Sequence, residues 1–70
     1  ANHLAALYLK AAEGSLAWLD LSTGAFHLAS CRKEELGALL ARVGPSELLV
    51  ADSLQDEVRE DAWFKQYRAL

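Results

Sequence analysis

The chain has 70 residues, of which 53% are hydrophobic and 24% charged, and its formal net charge is −3. Such a chain forms one small domain or part of one, because it buries only about 60% of the surface that unfolding exposes. The composition excludes disorder, the scattered basic residues disfavour an isolated nucleic-acid surface, and no apolar run approaches the roughly 20 residues that cross a bilayer. Because methionine is absent, we expect residues 1–70 to be a single, partial domain of a longer protein.

The first apolar segment covers residues 3–12 and carries one charge, Lys10. Its alanine and leucine residues favour a helix, but the Glu13-Gly14-Ser15 turn and the strand-like sequence after it favour a β-strand. Because both faces of this strand would be apolar, we expect a central strand that is covered on both sides.

Alternating polar and apolar residues predict a β-hairpin after this strand. The second strand covers residues 16–22 and the third covers residues 25–30, with Ser22-Thr23-Gly24 as the turn and Gly24 at positive φ. One face of the second strand carries Leu16, Trp18 and Asp20, and the other carries Ala17, Leu19 and Leu21. Three strands joined by short turns predict an antiparallel meander.

A helix and a fourth strand follow the hairpin. Ser30 is the predicted N-cap, and Glu34 and Glu35 lie in the first turn, where the helix dipole favours acids. The apolar stripe of the helix consists of Leu36, Leu39, Leu40 and Val43, and Gly44-Pro45 ends it. Residues 46–51 predict a buried strand, which a crossover connection would place parallel to a strand of the meander.

A second helix is predicted from a cap at Asp52-Ser53, with Leu54, Val58 and Ala62 on its apolar face. Three aromatic residues near the end of the chain, Trp63, Phe64 and Tyr67, either close the core or leave an apolar patch for a neighbouring domain. The element order β-β-β-α-β-α predicts the α/β class. It is typical of the first part of a ribonuclease H-like fold, which would be truncated here.

Asp20 is the most prominent candidate for a catalytic residue. Ribonuclease H-like nucleases hold two divalent ions with a carboxylate on the first strand and others on later elements, whereas the first strand here has no acid. The run Asp20-Leu21-Ser22-Thr23-Gly24 resembles the phosphate-binding D-x-G-T-G hairpin of actin-like ATPases, but serine replaces the first glycine. The D-T-G pattern of aspartic proteases fits less well. We therefore interpret Asp20 as an acceptor of hydrogen bonds from Ser22 and Thr23.

The remaining candidates also have structural interpretations. Cys31 is the single cysteine, which fits a reducing compartment, and the nearest base, His27, would lie about 13 Å away along a strand. His3 and His27 do not predict a zinc site, because no cysteine pair or acid cluster accompanies them. The charged residues at 32–35 and 55–61 are interpreted as solvated faces, of which the second could meet a basic partner.

Three motifs stand in order along the chain: N-H-L-A-A at Asn2 to Ala6, D-L-S-T-G-A-F at Asp20 to Phe26, and G-P-S-E-L-L at Gly44 to Leu49. They resemble the N-x-L-A-A, D-x-S-T-G-x-F and G-P-x-E-L-L motifs of the connector domain, the second domain, of the MutS family of DNA mismatch-repair proteins. The resemblance extends over residues 2 to 54, and residues 55–70 add no support.

This resemblance implies a non-catalytic, ribonuclease H-like domain that links the mismatch-recognition domain of MutS to its core and contributes to allosteric signalling and MutL docking. The parent would be a cytoplasmic, homodimeric, DNA-dependent ATPase acting on mismatched DNA, with ATP and magnesium bound outside this chain. For the chain itself we predict contacts with other MutS domains, no membrane contact, no enzymatic activity, and no catalytic, cofactor-binding or metal-binding residue.

Two alternatives remain open from the sequence. One is a catalytic nuclease or ATPase fragment of the ribonuclease H-like superfamily, in which Asp20 would be essential. The other is a stand-alone protein-interaction domain that is unrelated to repair.

Overall fold

A computed structural model of the protein describes residues 2–67. Its strands are β1 (His3–Lys10), β2 (Glu13–Asp20), β3 (Phe26–Arg32) and β4 (Glu47–Val50). A short 3-10 helix (Lys33–Glu35) leads into α1 (Leu36–Val43), and α2 (Asp52–Val58) and α3 (Ala62–Lys65) follow β4. None of the helices in residues 2–67 is long and apolar enough to cross a membrane.

The four strands form one sheet in the order β3-β2-β1-β4. β1 pairs antiparallel with β2, and β2 pairs antiparallel with β3. β4 returns through α1 and pairs parallel with β1, as the crossover connection predicted. The α/β class predicted from the sequence is therefore confirmed.

The start of the first strand was predicted correctly, but the other bounds of the first three strands are wrong by one to three residues. The first turn consists of Ala11 and Ala12, with Ala11 at φ 54°, and does not lie at Glu13-Gly14-Ser15. Gly14 belongs to β2, where a Cβ would lie 2.9 Å from Cδ1 of Leu36. This glycine therefore allows a helix to approach the sheet closely. β2 ends at Asp20 because the next turn begins at Leu21.

The first helix begins later than predicted. Ser30 is not an N-cap, because it lies within β3 and pairs with Ser15 of β2. The backbone amide of Arg32 instead donates a hydrogen bond of 3.0 Å to Oε1 of Glu35, at the start of the 3-10 helix. The predicted end is confirmed: Gly44 has φ 58°, and its amide donates to the carbonyl of Leu40 at 2.8 Å.

The predicted second helix is divided in two. α2 ends at Val58, and the amide of Asp61 donates to the carbonyl of Val58 at 2.9 Å before α3 begins. Ala51, and not Asp52 or Ser53, occupies the N-cap of α2. The aromatic residues of α3 pack partly buried against the core, with the rings of Trp63 and Phe64 edge to face at 6.0 Å.

All three helices pack on one face of the sheet, where the buried core lies. The buried core residues are Ala5, Leu7, Leu9, Leu16, Leu36, Leu39, Leu40, Leu48, Val50 and Val58. β1 is central, as predicted, but within residues 2–67 the sheet is covered on this face alone. The crossover through α1 and the helices after β4 all fall on this side, so cover of the opposite face stays a prediction.

Candidate functional site

The three sequence motifs meet at one end of the sheet. The carbonyl of Asn2 accepts a hydrogen bond of 2.9 Å from the amide of Leu21, and the carbonyl of His3 accepts one of 2.8 Å from the amide of Ser46. Oγ of Ser46 also donates to Oδ1 of Asn2 at 3.4 Å. We refer to this network, with Asp20, Ser22 and Val43, as the motif junction.

His3 connects three elements within the motif junction. Its Nδ1 lies 2.8 Å from the carbonyl oxygen of Val43, and since a carbonyl only accepts hydrogen bonds, Nδ1 carries the hydrogen. Its Nε2 lies 3.6 Å from Oδ2 of Asp20. The half-buried imidazole therefore links β1 to the last residue of α1 and to the turn between β2 and β3.

Asp20 is occupied by its own turn. Its Oδ1 accepts hydrogen bonds from the hydroxyl of Ser22 at 2.6 Å and from the amide of Ser22 at 2.9 Å. The pKa of Asp20 is lowered from 3.8 to about 2. The largest cause is the hydrogen bond from the hydroxyl of Ser22, followed by the one from its amide, since both stabilise the carboxylate. Gly24, at φ 78°, closes the turn by donating its amide to the carbonyl of Asp20 at 2.7 Å. The interpretation of Asp20 as a turn acceptor is confirmed.

Cys31 and His27 lie in separate surroundings. Burial, and then the nearby carboxylate of Glu35, raise the pKa of the Cys31 thiol, which disfavours the nucleophilic thiolate. The ring of His27 stacks on Trp18 with centroids 5.2 Å apart. In residues 2–67, no three histidine, cysteine, aspartate or glutamate side chains come together in a group that could hold a metal ion.

The second notable surface is the sheet face opposite the helices, which we term the open sheet face. Side chains on it include Phe26, Leu28 and Tyr8, which are 68%, 69% and 58% exposed. An almost wholly apolar groove of about 230 Å³ runs across it, floored by Ala6 and Ala17. The sequence analysis separated Ala17 from Leu16 and grouped Phe26 with Leu28 on one face of the third strand, and the pairing confirms both groupings.

Comparison of the chain with models of known protein families identifies its family. The family model described as MutS domain II matches residues 2–68. The chain belongs to the MutS domain II family. This match confirms the resemblance that the three motifs predicted.

Relatives of this MutS domain II are DNA mismatch repair proteins. The MutS protein of Anaplasma phagocytophilum (strain HZ) is 36% identical over 67 residues, which are 96% of this chain and 8% of that protein. The MutS protein of Roseobacter denitrificans (strain ATCC 33942 / OCh 114) is 48% identical over 48 residues, or 69% of this chain and 6% of that protein. The chain therefore spans less than a tenth of the length of these relatives.

Proposed function

We propose that this MutS domain II is a non-catalytic connector within a longer mismatch-repair protein, and that residues 1–70 form part of a single ribonuclease H-like domain. The observation that carries the proposal is the motif junction. Its polar groups bond to one another, whereas a catalytic site needs groups that converge on a substrate.

The geometry of the motif junction suits the transmission of movement. Asn2, immediately before β1, is bonded both to Leu21 in the turn after β2 and to Ser46 before β4. A displacement of the chain at Asn2 therefore acts on both elements, because hydrogen bonds and packed strands shift together. A connector requires this coupling between its entry point and its interior.

The same proposal includes the partners and location that the family implies. The parent would be a cytoplasmic homodimer that contacts mismatched DNA through other domains and binds ATP and magnesium outside this chain. The connector would contact neighbouring MutS domains and MutL. The net charge of −3 fits protein partners better than direct contact with DNA phosphates.

Titration of the isotopically labelled chain, followed by nuclear magnetic resonance, tests this function. We expect shift changes with the N-terminal region of MutL, and none with ATP-magnesium or with a duplex that carries a G·T mismatch. The absence of any change with MutL would remove that partner. Saturable changes with ATP-magnesium or the duplex would contradict the non-catalytic connector.

The nuclease alternative requires a separate assay. Magnesium-dependent cleavage of a nucleic-acid duplex that is lost in Asp20→Asn, but kept in Glu57→Gln, would favour that alternative. We expect no cleavage by either variant or by the unaltered chain, because the Oδ1 atom of Asp20 is bonded within its own turn.

A further inference from the structure

The outer edge of β3 carries no partner strand within residues 2–67, because β3 is the last strand in the order β3-β2-β1-β4. Its pairing with β2 is fixed at one end by the amide of Lys33, which donates to the carbonyl of Ala12 at 2.8 Å. At the other end the amide of Asp20 donates to the carbonyl of Ala25 at 2.9 Å. The register is unbroken between these ends. Since hydrogen-bonded pairs recur every second residue in an antiparallel ladder, the direction of each backbone group of β3 follows.

Alternate residues of β3 direct their backbone groups to opposite sides. His27, Ala29 and Cys31 direct theirs to β2, whereas the N–H and C=O groups of Leu28 and Ser30 point to the outer edge. These two residues therefore present two donors and two acceptors at the spacing with which another extended strand pairs. Exposed edge groups of this kind are a template for the addition of a strand.

A groove runs beside this edge on the helix side of the sheet. It measures about 380 Å³ and lies between β3 and α1, with Ala29 and Cys31 on the strand and Ala38 and Leu39 on the helix. A strand paired with β3 would direct every second side chain into this groove. Peptide-binding domains that add a strand to a sheet edge obtain affinity from the backbone and specificity from pockets for alternate side chains. The edge and the groove together supply both.

The groove carries opposite charges at its two ends. β3 and β4 run in the same direction, so α1, which connects them, runs back along β3. Glu34 and Glu35 therefore line the groove at the end of Cys31, and Arg42 lines it at the end of His27. Seven helical residues and four strand residues give a separation of about 10 to 13 Å between these ends. This is the length of about five residues of an extended peptide.

Glu35 sets the register of an added strand. Its Oε1 accepts the hydrogen bond from the amide of Arg32, which is the next outward-facing amide after that of Ser30. The edge that remains for pairing therefore ends at Ser30. Nε of Arg32 lies 3.8 Å from Oε1 of Glu34, so the three side chains leave one net negative charge at this end of the groove.

We propose that the edge of β3 and the adjacent groove bind an extended peptide segment of a partner protein, antiparallel to β3, with the pattern basic, any, small apolar, any, acidic. The basic residue lies opposite Cys31 and meets the two glutamates. The apolar residue lies opposite Ala29 in the groove, and the acidic residue lies opposite His27 and meets Arg42. The reverse order of charges would place like charges together at both ends. This surface is separate from the motif junction, so the proposal goes beyond the connector function.

Fluorescence anisotropy of the 70-residue chain with a labelled, end-capped peptide, Thr-Lys-Thr-Val-Thr-Glu-Thr, tests the proposal. We expect saturable binding with a Kd on the order of 100 µM. The control peptide, Thr-Glu-Thr-Val-Thr-Lys-Thr, has the same composition and is expected to bind about fivefold more weakly, because exposed ion pairs contribute modestly. Arg42→Glu is expected to abolish the preference between the two peptides. The matched variant Arg59→Glu, at an exposed arginine that follows α2, should retain it.

Hydrogen exchange of backbone amides measures the strand pairing separately. Bound peptide should slow the exchange of Leu28 and Ser30 and leave Ala29 and Cys31, which already bond to β2, unchanged. Replacing the threonine on either side of the peptide valine with proline should abolish binding, because proline lacks the N–H that pairs with the edge. Circular dichroism checks that each variant is folded. No saturable binding up to about 1 mM, equal affinities of the two peptides, or slowed exchange in β4 and not in β3 would overturn the proposal.

Discussion

Nε2 of His3 lies 3.6 Å from Oδ2 of Asp20, and the two residues are direct partners in the antiparallel pairing of β1 with β2. Each side chain also bonds elsewhere, His3 to the carbonyl of Val43 and Asp20 to Ser22. The pair therefore joins the end of α1 to the hairpin turn through two side chains in series.

Replacement of His3 tests the contribution of this link to stability. His3→Ala removes the hydrogen bond to the carbonyl of Val43 and is expected to lower the free energy of unfolding by about 1 kcal/mol. The matched control is His27→Ala, which removes an exposed imidazole stacked on Trp18 and should cost about 0.5 kcal/mol. Urea unfolding measures both. An equal or larger loss in His27→Ala would contradict a structural role for His3.

The lowered pKa of Asp20 predicts a dependence of stability on pH. Since the pKa is about 2 in the folded chain and 3.8 ordinarily, the folded form binds the proton less readily. The stabilisation is present above the ordinary pKa and is lost as the pH falls from about 4 towards 2. Urea midpoints between pH 6 and pH 2 should fall steeply in this window for the unaltered chain and less steeply for Asp20→Asn.

A comparison of Asp20 with a second carboxylate, Glu57, distinguishes the effect of the lowered pKa from general acid unfolding. Glu57 is an exposed residue of α2, so Glu57→Gln is expected to keep the steep fall. At pH 6, Asp20→Asn should be less stable than the unaltered chain, because a neutral amide oxygen accepts hydrogen bonds more weakly than a carboxylate. Identical pH profiles for Asp20→Asn and the unaltered chain would refute the assignment.

Gly14 is expected to tolerate no side chain. A Cβ at this position would lie 2.9 Å from Cδ1 and Cγ of Leu36, and overpacking of this kind costs about 1–3 kcal/mol. Gly37→Ala is the matched variant, since its Cβ would lie 3.2 Å from Cδ1 of Trp63 and alanine favours a helix by about 1 kcal/mol. Thermal unfolding should show a clear loss for Gly14→Ala and a small change for Gly37→Ala.

Gly44 is constrained by its backbone and not by its neighbours. Gly44 has φ 58°, and a Cβ added to it would meet no neighbouring side chain or backbone within 4 Å. Gly44→Ala should therefore lower the free energy of unfolding by about 1 kcal/mol, because the left-handed backbone conformation is unfavourable for alanine. Gly44→Asn should cost less, because asparagine adopts this conformation more readily. Equal stabilities of the two variants in urea would argue against this explanation.

Much of the fold follows from local pattern. Alternation along residues 16–30 grouped Leu16 with Trp18 on one face of the second strand and Ala17 with Leu19 on the other, and the pairing confirms this grouping. The apolar stripe of α1 and its glycine end were also predictable, because they depend on a 3.6-residue period and one positive φ.

The remaining features depend on contacts that are distant in sequence. A glycine such as Gly14 is equally compatible with a turn and with a strand that a helix approaches closely. Only the contact with Leu36, which is distant in sequence, shows that Gly14 lies in a strand. Ser30 has the residue type of an N-cap, but its pairing with Ser15 extends β3 beyond it. No glycine or proline lies between α2 and α3, so the sequence does not predict the division of the helix.

The candidate site was predictable in part. The motifs and the role of Asp20 were evident from the sequence, but the pairing of His3 with Asp20 was not. That pairing requires a two-residue turn at Ala11 and Ala12, and placing the turn at Glu13 to Ser15 hides the register. A correct turn assignment would have supplied the signal.

The position of β1 between β2 and β4 has a consequence for the order of folding. The hairpin partner follows β1 at once, whereas Ser46, which bonds to Asn2 across a separation of 44 residues, is synthesised much later. Closing such a long loop has a large entropic cost and slows folding. Because this contact forms late, we expect Ser46→Ala to speed unfolding in stopped-flow measurements and to leave refolding nearly unchanged, whereas Thr23→Ala in the early hairpin should slow refolding more than Ser46→Ala does. A nascent chain that has not reached Glu47 leaves one edge of its central strand unpaired, and during synthesis this edge is the part most exposed to aggregation.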